Sequence, residues 1–223
     1  MNKTARISRL VVIVCGFMFC AKFGFSADDD LQYWSAYNFK FKVYDNISLF
    51  INPSVRINDD VSDLFYWESR QGVTLKATDY FDFGLHYVYA REKDFGDPEW
   101  IDEHRLEIQP NFKWTIFGLD MSDRNRFDYR SIEGEEKWRY RNRIKIGKDL
   151  SVSDFEFSPY IYQEFFYDFK KDEYNQNRAG IGVVKQLTDT VSLDVYYQLR
   201  NDKDSDGHWS NKHIIGTTLA FSF

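Results

Sequence analysis

The chain holds only two cysteines, four prolines and four histidines in 223 residues. Both cysteines, Cys15 and Cys20, fall within the first 26 residues, which read as a removable leader. The rest therefore has no disulfide framework and no thiol chemistry. Beyond residue 26 no apolar run is long enough to cross a bilayer as a helix, so if the chain enters a membrane it does so as strands. G-x-S-x-G, H-E-x-x-H and P-loop signatures are all absent, which removes the commonest hydrolase, zinc-peptidase and nucleotide-binding readings. Helix-period segments and linkers are missing too, so the chain reads as one domain.

Residues 1–26 form a separate object. Lys3, Arg6 and Arg9 make a basic start, Leu10 to Cys20 an apolar run, and Gly24-Phe25-Ser26 a small-x-small cleavage site. This is the pattern of a secretory (Sec) signal peptide. Its four cations and lack of acids take the formal charge from −6 for the whole chain to −10 for residues 27–223. An acidic exported protein is a poor candidate for nucleic-acid binding.

Residues 27–223 combine many aromatics, 19% over the whole chain, with many charges. Such a mixture suits strands whose two faces meet different solvents. Period-two alternation predicts strands near 31–44, 47–58, 64–77, 81–91, 103–114, 117–130, 137–148, 155–169, 177–187, 191–200 and 212–223. The last ends Ile215, Thr217, Leu219, Phe221, Phe223, an alternation closing on a terminal phenylalanine. Connections alternate between short, as at 45–46, 78–80, 115–116, 148–154 and 188–190, and longer and more acidic, as at 59–63, 92–102, 131–136, 170–176 and 201–211. Short turns at one end and longer loops at the other describe an outer-membrane barrel. The fold expected is all-β, a transmembrane antiparallel up-and-down β-barrel of about 10–12 strands with a narrow, charged lumen. Its location is the bacterial outer membrane. Outer-membrane lipids, lipopolysaccharide and the barrel-assembly machinery are its expected partners. A soluble lipocalin-like barrel with inverted faces is the alternative, because periodicity alone does not say which face is inside.

The apolar face is nearly free of charge, as in Ile47, Leu49, Ile51, Pro53, Val55 and Ile57. Asp123 and Asn125 break it, and a β-bulge or a rim position is expected there. Gly72, Gly84, Gly118, Gly147, Gly180, Gly182 and Gly216 all fall in the inward phase, where they would make room for large side chains such as Trp34, Tyr66, Tyr160, Tyr162 and Tyr196. Eleven strands is an odd count, whereas bacterial single-chain barrels have even numbers. Either two strands have been merged, or the start of 31–44 runs through the lumen.

The polar face carries the candidate site. Lys137, Arg139, Arg141, Arg143 and Lys145, spaced by two, form one row of cations. Arg124 and Arg126 are expected beside it, with Glu103, Glu107, Glu156 and Glu164 on adjoining strands. Glu68 and Arg70 complete the lumen-lining candidates. Two roles are open: an Arg–Glu network that plugs the lumen, or a basic constriction that attracts small anionic solutes. Catalysis is not expected, an outer-membrane lipid-modifying enzyme being the lesser alternative, and no cofactor or metal site is indicated. The only acid–base candidate is the inward His86, with Asp82 four residues before it on the same face. The acidic loop 201–207 resembles a calcium loop but lacks the bidentate glutamate at its twelfth position. The sequence does not specify an oligomeric state.

The chain also resembles a known family. Leu31-Gln32-Tyr33-Trp34, the stretch from Leu119 to Arg130, Trp138 to Arg143, Pro159-Tyr160, Glu164-Phe165-Phe166-Tyr167 and Asn177-Arg178 are similar to the Gram-negative family catalogued as domain of unknown function 2490. The resemblance implies an outer-membrane barrel over the mature chain. It implies no activity, substrate or catalytic residue.

Overall fold

A computed structural model describes residues 30–58, 61–93, 98–153 and 155–223; the leader expected over 1–26 lies outside the described residues. The strands are β1 (Asp30–Tyr44), β2 (Ile47–Asn58), β3 (Asp63–Lys76), β4 (Phe81–Glu92), β5 (Ile101–Ile116), β6 (Leu119–Ile132), β7 (Glu135–Gly147), β8 (Leu150–Val152), β9 (Phe155–Asp168), β10 (Glu173–Gln186), β11 (Val191–Lys203) and β12 (Trp209–Ser222). Eleven of them close into a barrel. The three-residue β8 pairs only with the foot of β9.

Closure follows from the odd count. Ten antiparallel hairpin steps leave the first and last wall strands running the same way, and β1 pairs with β12 in parallel from Asp30↔Lys212 to Lys40↔Ser222. The whole of β1 is in the wall, which corrects the expectation that its start runs through the lumen. Phe223 extends the seam: its amide donates to the Lys40 carbonyl at 2.9 Å and its carbonyl accepts from Lys42 at 2.9 Å. Its ring stacks on Phe41 at 5.3 Å. The start of β1 therefore lies at the end of the barrel opposite Phe223.

The strands run further than alternation indicated at the longer-loop end. The loops expected at 131–136, 170–176 and 201–211 shrink to 133–134, 169–172 and 204–208. Charged residues there, such as Glu135, Lys170 and Lys203, belong to paired strand ends and hairpins that carry cross-strand ion pairs instead of free loop. At the other end the turn expected at 115–116 is Phe117-Gly118, both at positive φ. Gly118 is thus a turn residue, with nothing within 4 Å of the point a Cβ would occupy, and leaves the inward set. The remaining six glycines do face side chains within the barrel. A Cβ on Gly180 would overlap the Tyr162 ring, and one on Gly216 the Tyr196 ring.

Polarity settles which face is inside. Among the described residues, fifteen buried side chains are polar or charged and nine are hydrophobic. Leu85, Ile161 and Ile181 stand outward, each more than half exposed. A lipocalin-like barrel would have the reverse distribution, so that alternative is excluded by this interior. Aromatic rings gather near both rims of the outer wall. Phe39–Phe221, Phe41–Phe223 and Phe81–Phe112 lie toward the Phe223 end; Trp67–Tyr89, Tyr129–Trp138 and Tyr167–Tyr174 lie toward the other.

Asp123 and Asn125 occupy neither a bulge nor a rim. The β6–β7 register runs unbroken from Asp120↔Gly147 to Ile132↔Glu135. The polar break is satisfied across the strand instead: Asn142 donates to Asp123 at 2.5 Å and to Asn125 at 3.1 Å, and the Tyr140 hydroxyl donates to Asn125.

Candidate functional site

Alternate residues of the wall enclose a chamber of about 420 Å³ inside the barrel. Period two puts every second side chain inward, so a strand reading Arg139-x-Arg141-x-Arg143 delivers three guanidiniums to one side of it. In the β6–β7 register Arg124 stands opposite Arg143 and Arg126 opposite Arg141. All of these line the chamber together with Glu68, Arg70 and Glu164. Glu107 is fully enclosed behind the lining.

The carboxylates act as hubs, each shared by several arginines. One Glu107 oxygen accepts from Arg105 Nη1 at 3.2 Å and Arg126 Nη1 at 3.1 Å. Its other oxygen faces Arg70 Nε at 3.1 Å and His86 Nδ1 at 3.4 Å. Glu164 Oε1 accepts from Arg124 Nη2 at 2.6 Å and Arg141 Nη2 at 2.9 Å, with Arg178 3.8 Å from Oε2. Glu103 accepts from Arg105 Nε at 2.8 Å and from both Nε and Nη2 of Arg130, at 2.6 and 2.8 Å. Glu68 accepts from Tyr66 at 2.5 Å and from Arg70 at 3.2 Å. Charge-assisted bonds of this kind are strong because water, the competing partner, is largely excluded.

Cations nevertheless outnumber acids. Among the described residues eleven arginines and five carboxylates line the chamber. Adding Glu107, Asp128 and Asp202, each paired with a lining arginine, brings the acids to eight. Arg56 and Arg143 make no ion pair among the described residues. Arg56 lies between two rings, its guanidinium carbon 4.1 Å from Trp34 and 3.8 Å from Tyr66. Arg143 lies 5.1 Å from Tyr162. Phe166, fully buried, backs Arg141 at 4.5 Å and Arg178 at 4.6 Å. Rings thus add to the Glu164 carboxylate at Arg141 and Arg178, and stand without a carboxylate at Arg56 and Arg143.

An aromatic layer lies toward the Phe223 end. The Tyr160 hydroxyl donates to both Asp194 oxygens at 2.8 and 2.9 Å, and Tyr162 donates to Gln198 at 2.5 Å. Tyr160 also lines a second cavity of about 680 Å³, whose lining carries Lys113, Lys145 and Lys148 and also Asp79, Asp120 and Asp149. Tyr160 therefore lines both cavities, with Lys145 Nζ 3.5 Å from its ring centroid.

Several sequence expectations differ here. Glu156 is exposed and stays outside the network. His86 faces Glu107, while Asp82 accepts from Asn111 at 2.5 Å and pairs with Lys113. His86 packs edge-on against Phe50 at 4.6 Å, and no hydroxyl hydrogen-bonds to it among the described residues. Among the described residues no group of three or more metal-ligating side chains is assembled. In the 201–207 loop, Asp204 Oδ1 accepts the amides of Asp206 and His208, which gives it a turn-forming role. Asp128 and Phe166 were not read as site residues from sequence. Asp128 was findable, because it stands directly opposite Arg139, from which it accepts at 2.8 and 3.0 Å.

The family model described as protein of unknown function (DUF2490) matches residues 31–211. The chain belongs to that family. No curated protein matches it. Among solved structures, the translocator domain of the autotransporter NalP from Neisseria meningitidis is similar at a TM-score of 0.44 and 11% identity, covering 77% of this chain and 72% of that one.

Proposed function

We propose that this DUF2490 protein is an outer-membrane barrel whose basic lumen takes in small anionic solutes. The membrane part of this reading rests on the inverted polarity, with apolar side chains outward, charge inward and aromatic rings near both rims. The lumen part rests on one observation: the arginines of the chamber exceed the carboxylates that neutralise them. Arginine stays protonated in proteins, so the excess cannot be removed by titration. A mobile anion relieves it.

A solute entering at the longer-loop end meets the arginine chamber, then the Tyr160 layer, then the second cavity, where three lysines and three aspartates balance. The second reading is a closed barrel serving envelope structure, which the enclosed Glu107 and the tyrosine layer favour. Location is tested by fractionation and by gel mobility. A folded barrel is expected to pellet with outer membranes and to migrate differently before and after boiling; recovery as a soluble periplasmic protein refutes the membrane reading. Uptake is tested in proteoliposomes, where entry of citrate faster than glucose is expected. Equal exclusion of both favours the closed barrel.

A further inference from the structure

Arg56 and Arg143 differ from the other chamber arginines in how they are held. The others named above each have a carboxylate of Glu68, Glu103, Glu107, Asp128 or Glu164 within ion-pair distance. The guanidinium of Arg56 is instead sandwiched, with Trp34 at 4.1 Å and Tyr66 at 3.8 Å. The two rings come from the flanking strands, Trp34 opposite it on β1 and Tyr66 opposite it on β3, and no carboxylate among the described residues pairs with it. Arg143 lies 5.1 Å from the Tyr162 ring and likewise has no ion pair among the described residues. The two are spread along the chamber. Arg56 is near the longer-loop end of β2, whereas Arg143 is near the Phe223 end of β7.

A guanidinium whose faces are stacked presents parallel N–H donors in its own plane. That fork matches two oxygens of one carboxylate or phosphate, each donor meeting its own acceptor, whereas a single halide must share both donors. Stacking also fixes the plane in advance, so little rotational freedom is lost when the anion arrives. The surrounding arginines supply non-specific attraction, and these two supply shape.

We propose that Arg56 and Arg143 are two oxyanion-selecting stations, one at the entry side and one near the floor, for a solute carrying carboxylate or phosphate groups. The chamber's size, about 420 Å³, suits a small molecule. The inference rests on the anion-accepting reading and narrows it to oxyanions over halides.

The test uses the full refolded barrel in lipid-free detergent, with folding of each variant verified by heat-modifiable migration. Inorganic phosphate and citrate are titrated calorimetrically against sodium chloride at matched ionic strength. The wild type is expected to bind the oxyanions at least about tenfold more tightly than chloride, the value of one charged hydrogen bond. Arg56→Lys and Arg143→Lys keep the charge and lose the fork, so each is expected to erase most of that preference while leaving chloride binding in place. If one variant does not fold, the other carries the test.

Equal binding of chloride and phosphate by the wild type, or an unchanged preference in both lysine variants, overturns the oxyanion stations but leaves the anion-accepting lumen standing. Absence of any anion binding refutes both. Displacement of phosphate by phosphatidylglycerol vesicles would identify a lipid headgroup as the source of the oxyanion, whereas no displacement identifies a free solute.

Discussion

Glu164 is the position at which the charge balance of the lumen is most exposed to experiment. Its side chain is 2% exposed and faces Arg124, Arg141 and Arg178. Glu164→Gln keeps the shape and removes the charge, leaving three guanidiniums around a neutral amide. Breaking a buried pair by removing one partner costs about 3–5 kcal/mol, and three stranded cations place this change at the upper end. Arg141→Ala is the control. It removes one of three cations from Glu164, which keeps Arg124 at 2.6 Å, and it relieves repulsion from neighbouring arginines. The lost charged hydrogen bond is worth about 1.5–3 kcal/mol and is partly offset, so a net cost below about 2 kcal/mol is expected. Urea unfolding of both variants, refolded into the same vesicles and followed by tryptophan fluorescence, gives the comparison. A lumen of balanced pairs would make the two substitutions equally costly. That result, or Arg141→Ala costing more, would refute the account of shared carboxylates amid surplus cations.

Other outcomes follow from the same structure. Gly216→Ala should destabilise the barrel by about 1–3 kcal/mol, as overpacking does, because its Cβ would overlap the Tyr196 ring; Tyr196→Ala in the same chain should restore part of that stability in a double-mutant cycle. Phe223→Asp should reduce the heat-modifiable fraction, since that ring stacks on Phe41 at the closing seam. Parallel closure of β1 on β12 means that an epitope inserted just ahead of β1 should be reached by antibody from the same side as one at Gly207. Recovery of the two epitopes on opposite sides would contradict the closure.

Much of the wall was legible because alternation is a strong signal when one face must be charged and the other apolar. A one-residue slip on β7 would have turned Arg139, Arg141 and Arg143 outward. Strand ends were less legible. Charged residues such as Glu135 and Lys203 read as loop until cross-strand partners bring them into hairpins, and those partners are set by register. Asp123 and Asn125 likewise looked like a defect, because Asn142 is distant in sequence and adjacent only in the β6–β7 pairing. The candidate site divides in the same way. Phase places a side chain in the lumen, but it does not say that Glu164 will serve three arginines while Arg56 goes to two rings.

Surplus lumenal arginine should make this barrel favour anions. The most direct measurement is the reversal potential of purified, refolded protein in a planar bilayer under a potassium phosphate gradient. A conductance is expected whose reversal potential lies toward the phosphate equilibrium value and moves toward zero in Arg143→Ala. A cation-selective conductance, or a properly inserted barrel that stays silent with every anion tried, would contradict it.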